Sequence, residues 1–327
     1  MKLYALCTSG ISGNMMVGAL LDYGVPFAYF QKEIEKLHLA GFDYIYQPRS
    51  YEMHGCESML QVVRLDDKTE EMADDNHIIH DEGAHARETV KQSDKVIVNH
   101  YRPMTGQRDV RIEGTFFDVT LHAITHQPVW KRTLWRWSRT VTKAIGVAPI
   151  VAHGVKRNYG DIVNIIRHSN LSDWVKEKSI AAFTHLGEAE ATVHGVSIDK
   201  VHFHEVGAID CIIDIVGTMI GMEYIGAIEL VISPLHVGTG QVYCDHGWMP
   251  VPTPATEQLL QGVPTFTMHV MGELVTPTGA ALVKTLATHS VSSIEEMETC
   301  LTRCNVIGYG FGSLHLPIPN VLVIGSH

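Results

Sequence analysis

The sequence predicts an α/β fold in which a mixed sheet with helices forms one main domain, interrupted by an irregular insertion. Residues 3–7 are a continuous apolar run, typical of a strand buried on both faces of a sheet. A glycine-containing turn and an apolar helix pattern follow this run, and residues 172–195 have the spacing of a long amphipathic helix. Hydrophobic residues make up 45% and charged residues 19% of the 327 residues, which supplies a sizeable core.

Two segments with regular hydrophobic patterns flank a middle segment that has no such pattern. We expect residues 1–65 to be the N-terminal strand–turn–helix part of the main domain, residues 66–150 the irregular insertion, and residues 151–327 the rest of the main domain. The insertion contains three tryptophans interleaved with basic residues between positions 126 and 139. Such interleaving can bind single-stranded nucleic acid, but the poor periodicity favours an irregular insertion or linker, for which disorder is one alternative.

The elements of the main domain follow from periodicity and turn residues. The turn Ser9–Asn14 leads from the first strand into a helix over Met15–Leu21, and a second helix has apolar residues on one face from Phe27 to Leu37. Strand-like segments follow at 43–47 and 61–65. In the second half, Ser172 is expected to cap the long helix at its start, with Gly195 just past its end.

The helix that begins near residue 206 is apolar nearly all round, which predicts that it is buried. Its polar exceptions are Asp210, Asp214 and Thr218, which form one stripe at a spacing of four residues. Two carboxylates one helical turn apart repel each other, and burying them uncompensated is costly. A nearby cation resolves this conflict, either a metal ion or a lysine or arginine side chain.

Further metal-ligating residue types lie just upstream of that helix. His202, His204 and Glu205, with the two aspartates, give five metal-capable groups within 13 residues. Imidazole with carboxylate suits nickel, zinc, iron or manganese, and the ligand types alone do not choose among them. The alternative is that these groups cap the helix and pair with basic side chains. His246, in a predicted turn, is an additional metal or acid/base candidate.

Several helix starts are candidates for binding phosphate. Ser9–Asn14 lies at a strand-to-helix turn, and Thr253 and Thr276 each precede a proline as predicted N-caps. Helix N-termini favour anions, although ordinary capping explains each start without a ligand. The glycine pair Gly238 and Gly240 is a fourth, weaker backbone candidate.

Charge, cysteines and hydropathy limit the location and partners. The formal net charge of −11 argues against binding to nucleic acid or an anionic membrane, whereas the 20 histidines are a reason to look for a metal. The six cysteines are scattered, the N-terminus is not a secretory signal, and the most apolar stretch, 212–225, is too short and too charged to span a bilayer. These features predict a cytoplasmic protein.

Several short motifs together resemble one family, the LarC-type nickel insertion proteins. The resemblance covers residues 1–65 and 155–325 in the order of the family. The motifs are Ser9-Gly-Ile-Ser-Gly-Asn-Met15, Glu188-Ala-Glu-Ala with Val193-His-Gly195, Val201-His-Phe-His-Glu-Val-Gly-Ala-Ile-Asp210 with Asp214-Ile-Val-Gly217, Ser233-Pro-Leu with Gly238-Thr-Gly240, His246-Gly with Pro250-Val-Pro-Thr-Pro-Ala-Thr256, Gly272-Glu-Leu-Val-Thr-Pro-Thr-Gly-Ala-Ala281, Ile307-Gly-Tyr-Gly310 and Pro319-Asn-Val321.

The resemblance implies an activity and its reactants. The family inserts Ni²⁺ into pyridinium-3,5-bisthiocarboxylic acid mononucleotide, which forms the nickel-pincer nucleotide cofactor of lactate racemase. CTP, with Mg²⁺ or Mn²⁺, is a co-substrate that is hydrolysed to CMP and diphosphate. These reactants and lactate racemase are the expected partners, with no membrane and no nucleic acid among them.

The resemblance also assigns residues to roles. A nickel site maps onto His202, His204, Glu205, Asp210 and Asp214, with His246 as a further candidate, and Glu205 or Asp210 is the expected catalytic proton acceptor. Helix starts and glycine turns would hold the nucleotides, through Ser9, Gly10, Ser12, Gly13, Gly238, Gly240, Thr276 and Thr278.

The sequence departs from the family pattern in three respects. Leu6 and Asn14 stand where members commonly have aspartate, and the insertion has scattered histidines instead of a histidine-rich run. Family members also continue into a further C-terminal domain associated with the CTP step, which we expect a longer product or another polypeptide to supply. Two other functions therefore stay open: a non-catalytic nickel carrier, and a metal-dependent phosphohydrolase that uses Asp210 and Asp214.

Overall fold

A computed structural model describes residues 1–53, 61–64, 96–99, 110–121, 157–203, 209–244 and 246–327. The tryptophan-rich segment lies outside these residues, as do His204 and Glu205, and the side chain of His202 is not described.

The described residues form helices and strands in a mixed order. The helices are α1 (Gly13–Tyr23), α2 (Phe27–Glu35), α3 (Tyr159–His168), α4 (Asp173–His194), α5 (Ile209–Tyr224), α6 (Pro254–Leu259), α7 (Pro277–Leu286) and α8 (Ile294–Thr302), with a 3₁₀ turn at Ile198–Lys200. The strands are β1 (Lys2–Leu6), β2 (Phe42–Met53), β3 (Gln61–Arg64), β4 (Val96–Asn99), β5 (Val110–Leu121), β6 (Arg157–Asn158), β7 (His202–Phe203), β8 (Glu229–Ile232), β9 (Leu235–His236), β10 (Gly238–Thr239), β11 (Gln241–Cys244), β12 (Gly247–Pro250), β13 (Thr265–Phe266), β14 (Gly272–Glu273), β15 (Ala287–Ser290), β16 (Val306–Phe311) and β17 (Val321–Ser326).

A seven-stranded mixed sheet organises the fold, in the order β15-β8-β1-β17-β16-β5-β2. Strand β1 pairs in parallel with β8 and antiparallel with β17, which in turn pairs antiparallel with β16. Strand β5 is parallel to β16 and antiparallel to the edge strand β2. The predicted mixed α/β class is therefore confirmed.

Both faces of the sheet are covered. Along β1, Leu3 and Ala5 belong to the larger core, which includes residues of α1, α2, α4, α5 and α7. Leu6, on the opposite face, belongs to a second core with Met297 and Leu301 of α8. Because side chains alternate across a strand, an apolar run of this kind is buried on both sides. This confirms the interpretation of residues 3–7.

One strand of the sheet comes from the stretch expected to be irregular. Residues 110–121 form β5, which pairs with β2 along twelve residues and with β16 at Thr115 and Phe116. The stretch predicted to be an irregular insertion therefore contributes a regular strand to the sheet. The central residues of β5, Gly114–Phe117, are buried, because sequence-distant strands flank them, a condition that local periodicity does not reveal.

The predicted helix boundaries are confirmed where capping residues mark them. The Ser172 side chain accepts a hydrogen bond from the Val175 N–H, and Gly195 adopts the left-handed conformation at the end of α4 with φ 65°. Thr276 caps α7 by accepting a hydrogen bond from the Gly279 N–H. Among the described helices none is both long and apolar enough to cross a membrane.

The parallel strands place several loops at one edge of the sheet. The pairing pattern gives β1, β5, β8, β15 and β16 the same direction, so their carboxyl ends share one edge. The turn after β1 leads into α1 at this edge. In open α/β sheets, ligands bind outside the carboxyl ends of the strands, so the functional site is expected here.

Candidate functional site

The glycine turn after β1 is held against a second backbone segment. Gly10 has φ 79°, and a Cβ at this position would lie 2.0 Å from the Leu274 carbonyl oxygen. The Ile11 N–H donates to that same carbonyl oxygen at 3.0 Å. Only glycine satisfies both the positive φ and this close approach. The first glycine of the motif therefore serves the packing of two backbones.

This packing brings the starts of α1 and α7 together. The Thr276 N–H donates to the Ile11 carbonyl oxygen at 3.2 Å, and a Cβ on Gly279 would lie 2.1 Å from that oxygen. The Thr276 and Thr278 hydroxyls are hydrogen-bonded to each other at 2.9 Å. Two helix N-termini that were predicted separately as anion sites thus share one location.

Asp214 of α5 lies at the start of α1. Its carboxylate accepts a hydrogen bond from the Asn14 backbone N–H, and a Cβ on Gly13 would lie 2.8 Å from its Oδ2 atom. The second glycine of the motif leaves the space that the carboxylate fills. One N–H at this helix start is therefore already bound to a carboxylate of the protein itself.

The electrostatic environment of Asp214 disfavours its ionised form. Burial makes the largest contribution and raises the pKa of this carboxyl well above its usual value; the negative charges of Asp210 and Asp118 raise it further. The Asn14 N–H opposes the shift by stabilising the carboxylate. A cation bound near the three carboxylates would reverse the balance, because it favours the ionised form.

Asp118 is a site residue that the sequence analysis missed. It lies on β5, where the Phe117 carbonyl oxygen accepts a hydrogen bond from the Asn14 side-chain amide at 3.3 Å. The alternation of apolar residues in 110–117 is a signal for this strand, but nothing in the sequence places the strand beside α1. The contact depends on the pairing of β5 with β16.

The glycine pair Gly238 and Gly240 lies in a neighbouring backbone crossing. Gly238 has φ 82°, and a Cβ there would lie 2.0 Å from the Gly272 carbonyl oxygen and 3.0 Å from the Leu274 side chain. Leu274 is the residue that also contacts Gly10. Through Leu274, this crossing therefore packs against the glycine turn. Its role in binding a nucleotide stays a prediction.

The predicted nickel ligands divide into two groups. Asp210 and Asp214 are described and interact electrostatically, and the backbone of His202 pairs with Asn158 in the short β6–β7 ladder. His204 and Glu205 lie outside the described residues. Within the described ranges, no three histidine, cysteine, aspartate or glutamate side chains meet as a metal cluster. The proposed five-residue set stays a prediction.

His246 lies between β11 and β12, beside the end of α4. Its ring centroid is 4.9 Å from that of His194, with 40° between the ring planes. No local sequence pattern relates His246 to His194, because their proximity depends on how the β11–β12 hairpin packs.

His236 has a structural position near the glycine turn. It is fully buried, with Nδ1 2.9 Å from the Thr8 carbonyl oxygen and Nε2 3.1 Å from the Met268 backbone nitrogen. Nε2 must accept from that N–H, so Nδ1 carries the proton and donates to Thr8. Burial lowers the pKa of the ring. The neutral ring links the turn to the segment before β14.

A profile of the family described as "Nickel insertion protein" matches residues 3–325. The chain belongs to this family. The match extends across both flanks of the predicted insertion and includes the glycine turn, the aspartate helix and the start of α7. It confirms the family that the sequence motifs resemble.

Relatives in the family carry a more specific name. Proteins named pyridinium-3,5-bisthiocarboxylic acid mononucleotide nickel insertion protein, from Desulfitobacterium hafniense (strain DSM 10664 / DCB-2) and Geobacillus kaustophilus (strain HTA426), are 48% and 33% identical over 98% and 99% of this chain. The chain spans 56% and 59% of the lengths of these two relatives. No solved structure matches this family member.

Proposed function

We propose that this chain binds Ni²⁺ and takes part in its insertion into pyridinium-3,5-bisthiocarboxylic acid mononucleotide, the reaction for which its relatives are named. One observation carries the proposal: the Asp214 carboxylate, electrostatically coupled to Asp210, lies where α1 and α7 begin. A carboxylate pair beside two helix starts suits a cation and a phosphorylated ligand at neighbouring positions.

The nickel side of the proposal rests on charge. Asp214 is desolvated and is repelled electrostatically by the Asp210 and Asp118 carboxylates, and a divalent ion would relieve this repulsion. We infer that the ligand set is completed by His202, His204 and Glu205, which directly precede α5 in sequence. Carboxylate and imidazole are ligand types that suit nickel.

The nucleotide side rests on the start of α7. This helix is ten residues long and carries the Thr276 and Thr278 hydroxyls in its first turn. A phosphate is favoured there by the helix dipole and by amide and hydroxyl donors. Ser9, Ser12 and the neighbouring glycines are assigned to the same ligand, with Gly238 and Gly240 supporting the turn.

The proton released on metallation needs an acceptor. When the pyridinium C–H bond is replaced by a carbon–nickel bond, the carbon keeps the electron pair and the proton leaves. A carboxylate at the nickel site can take this proton, and Glu205 or Asp210 is assigned to this role. CTP with Mg²⁺ or Mn²⁺ is assigned as co-substrate, and lactate racemase as the user of the product, in a cytoplasmic setting.

The experiment combines nickel binding with product analysis. The purified chain is incubated with Ni²⁺, Mg-CTP and the bisthiocarboxylate mononucleotide, and mass spectrometry records the nickel isotope pattern in the nucleotide. We expect nickel-containing product, and its loss in Asp210→Asn and Asp214→Asn. Asp199→Asn is the matched control, because Asp199 is an exposed aspartate in a 3₁₀ turn.

Three other outcomes have distinct meanings. Bound nickel without product would contradict insertion by this chain alone and favour the carrier function. Consumption of CTP without the mononucleotide would favour a phosphohydrolase. Unchanged nickel binding in both aspartate variants would contradict the assignment of the site.

A further inference from the structure

Two histidines that are distant in sequence meet on the surface of the molecule. His194 is the last residue of α4, and His246 lies in the turn between β11 and β12. Their ring centroids are 4.9 Å apart. About one third of the His194 side chain is exposed, at 35%, and His246 is also exposed. Solvent and ions therefore have access to both rings.

A carboxylate accompanies this pair. Glu190 lies one helical turn before His194, and its Oε2 atom is 3.6 Å from the His194 Nε2 atom. Residues four apart share one face of a helix. The C-terminal end of α4, where His194 lies, also carries the negative end of the helix dipole, which favours cations.

The separation of the rings fits ligation of one ion. With metal–nitrogen bonds of about 2.1 Å, two imidazoles at adjacent positions around one ion have their centroids roughly 4.6–5.3 Å apart, depending on the bond angle. The observed separation of 4.9 Å lies in this interval. Ring pairs without a metal have centroids about 4.5–7 Å apart, so the separation allows ligation and the binding measurement decides between the two.

We propose that His194 and His246 bind a divalent transition-metal ion, with Glu190 as a positioning residue that fixes the His194 ring. The two imidazoles supply neighbouring ligands of one ion at the exposed end of α4. The identification of the ion as Ni²⁺ rests on the proposed function; the imidazole site itself does not.

The contacts of this histidine pair involve other residues than the contacts of Asp214. Asp214 contacts Gly13 and Asn14, whereas His194 contacts His246 and Glu190. Nickel captured at the surface would then be transferred to the carboxylate site, where the mononucleotide is metallated.

The test measures nickel binding to the full chain with Ni²⁺ alone, by equilibrium dialysis and elemental analysis. We expect His194→Gln and His246→Gln each to abolish the same class of nickel-binding site. The double variant should therefore lose no more bound nickel than either single variant. Glu190→Gln should weaken this class by about tenfold, as substitutions of groups that orient a metal ligand commonly do. A second readout is paramagnetic broadening of the His194 and His246 ring signals by Ni²⁺.

The matched control is His185→Gln. His185 is on the same helix, with a glutamate oxygen of Glu188 3.9 Å from its Nδ1, but it lines a cavity of about 280 Å³ with Lys284 instead of facing His246. This variant should bind nickel like the unmodified chain. Equal nickel binding in all variants would overturn the proposal.

The same measurement separates this inference from the proposed function. If Asp214→Asn loses insertion but retains the histidine-dependent class, both stand. If no nickel enters the mononucleotide but the histidine-dependent class is present, the proposed function fails and the surface site stands. If insertion proceeds while His194→Gln and His246→Gln bind nickel normally, the surface site fails alone.

Discussion

Gly13 and Asp214 form a contact that leaves no room for a side chain on the glycine. A Cβ at Gly13 would lie 2.5 Å from the Asp214 Cβ and 2.8 Å from its Oδ2 atom. The carboxylate also accepts a hydrogen bond from the next residue, Asn14. The glycine motif of α1 and the aspartate stripe of α5 are therefore in direct contact.

Gly13→Ala should disturb this site directly. The added methyl group overlaps Asp214, and overpacking of this kind typically costs about 1–3 kcal/mol in the free energy of unfolding. We also expect weaker nickel binding, because the carboxylate must move. Urea unfolding and nickel titration measure the two effects. Gly160→Ala on α3 is the control, since the nearest atom there is an Asn158 side-chain oxygen at 3.2 Å; equal effects of both variants would contradict this explanation.

Asp214→Asn should stabilise the metal-free protein at neutral pH. The folded-state pKa of Asp214 is raised above the unfolded value, so the folded protein binds the proton more tightly and loses stability as the pH rises from the unfolded pKa through the folded one. Each unit of difference contributes about 1.4 kcal/mol. Asp214→Asn has no carboxyl group to ionise at this position and so does not lose this stability. Its higher free energy of unfolding relative to the unmodified chain should therefore disappear below about pH 4.

Nickel should reverse the order of the two proteins. A ligand at 100 times its Kd stabilises the folded state by about 2.7 kcal/mol. At pH 7.5 the unmodified chain should show such a gain from the aspartate site, whereas Asp214→Asn should gain only what the His194–His246 site contributes. Thermal unfolding with and without Ni²⁺ provides the measurement. A variant that is less stable than the unmodified chain without metal would show that Asp214 stabilises the fold in its ionised form.

His236→Gln should change how stability depends on pH. The ring is buried and neutral, and its folded pKa is lowered below the unfolded value of 6.5. The stability it contributes is therefore complete above pH 6.5 and is lost as the pH falls through the folded pKa. His236→Gln should lower the free energy of unfolding by about 1–3 kcal/mol at pH 7.5, because one buried hydrogen-bonding partner is left unsatisfied. It should also remove the loss of stability that the unmodified chain shows as the pH falls. His289→Gln, on the exposed strand β15, should retain it.

Two buried thiols should resist alkylation in the folded protein. Burial raises the pKa of Cys7 to about 12 and that of Cys304 to about 11. Since the thiolate is the nucleophile, we expect both to react more than about a hundredfold more slowly at pH 8 than a thiol of ordinary pKa. Mass spectrometry after timed iodoacetamide treatment measures this. The same peptides in urea are the control, and rapid modification of Cys7 in the folded chain would show that this core opens.

The sequence by itself determined the elements whose signals are local. The apolar run before the Ser9 turn and the caps at Ser172 and Gly195 predicted β1, α1 and α4, because burial on two faces, helical spacing and capping each depend on neighbouring residues. The aspartate stripe was also visible in α5, since residues four apart share a helix face. The motifs were specific enough to indicate the family.

Only the tertiary structure decided which of these features meet. It placed β5 in the sheet and Asp118 near Asp214, it set Gly10 against Leu274, and it brought His246 beside His194. These contacts join residues that are far apart in the chain. Their formation depends on sheet pairing and on the combined burial of distant segments, and a local pattern of residue types contains no information about which distant segment will be the partner.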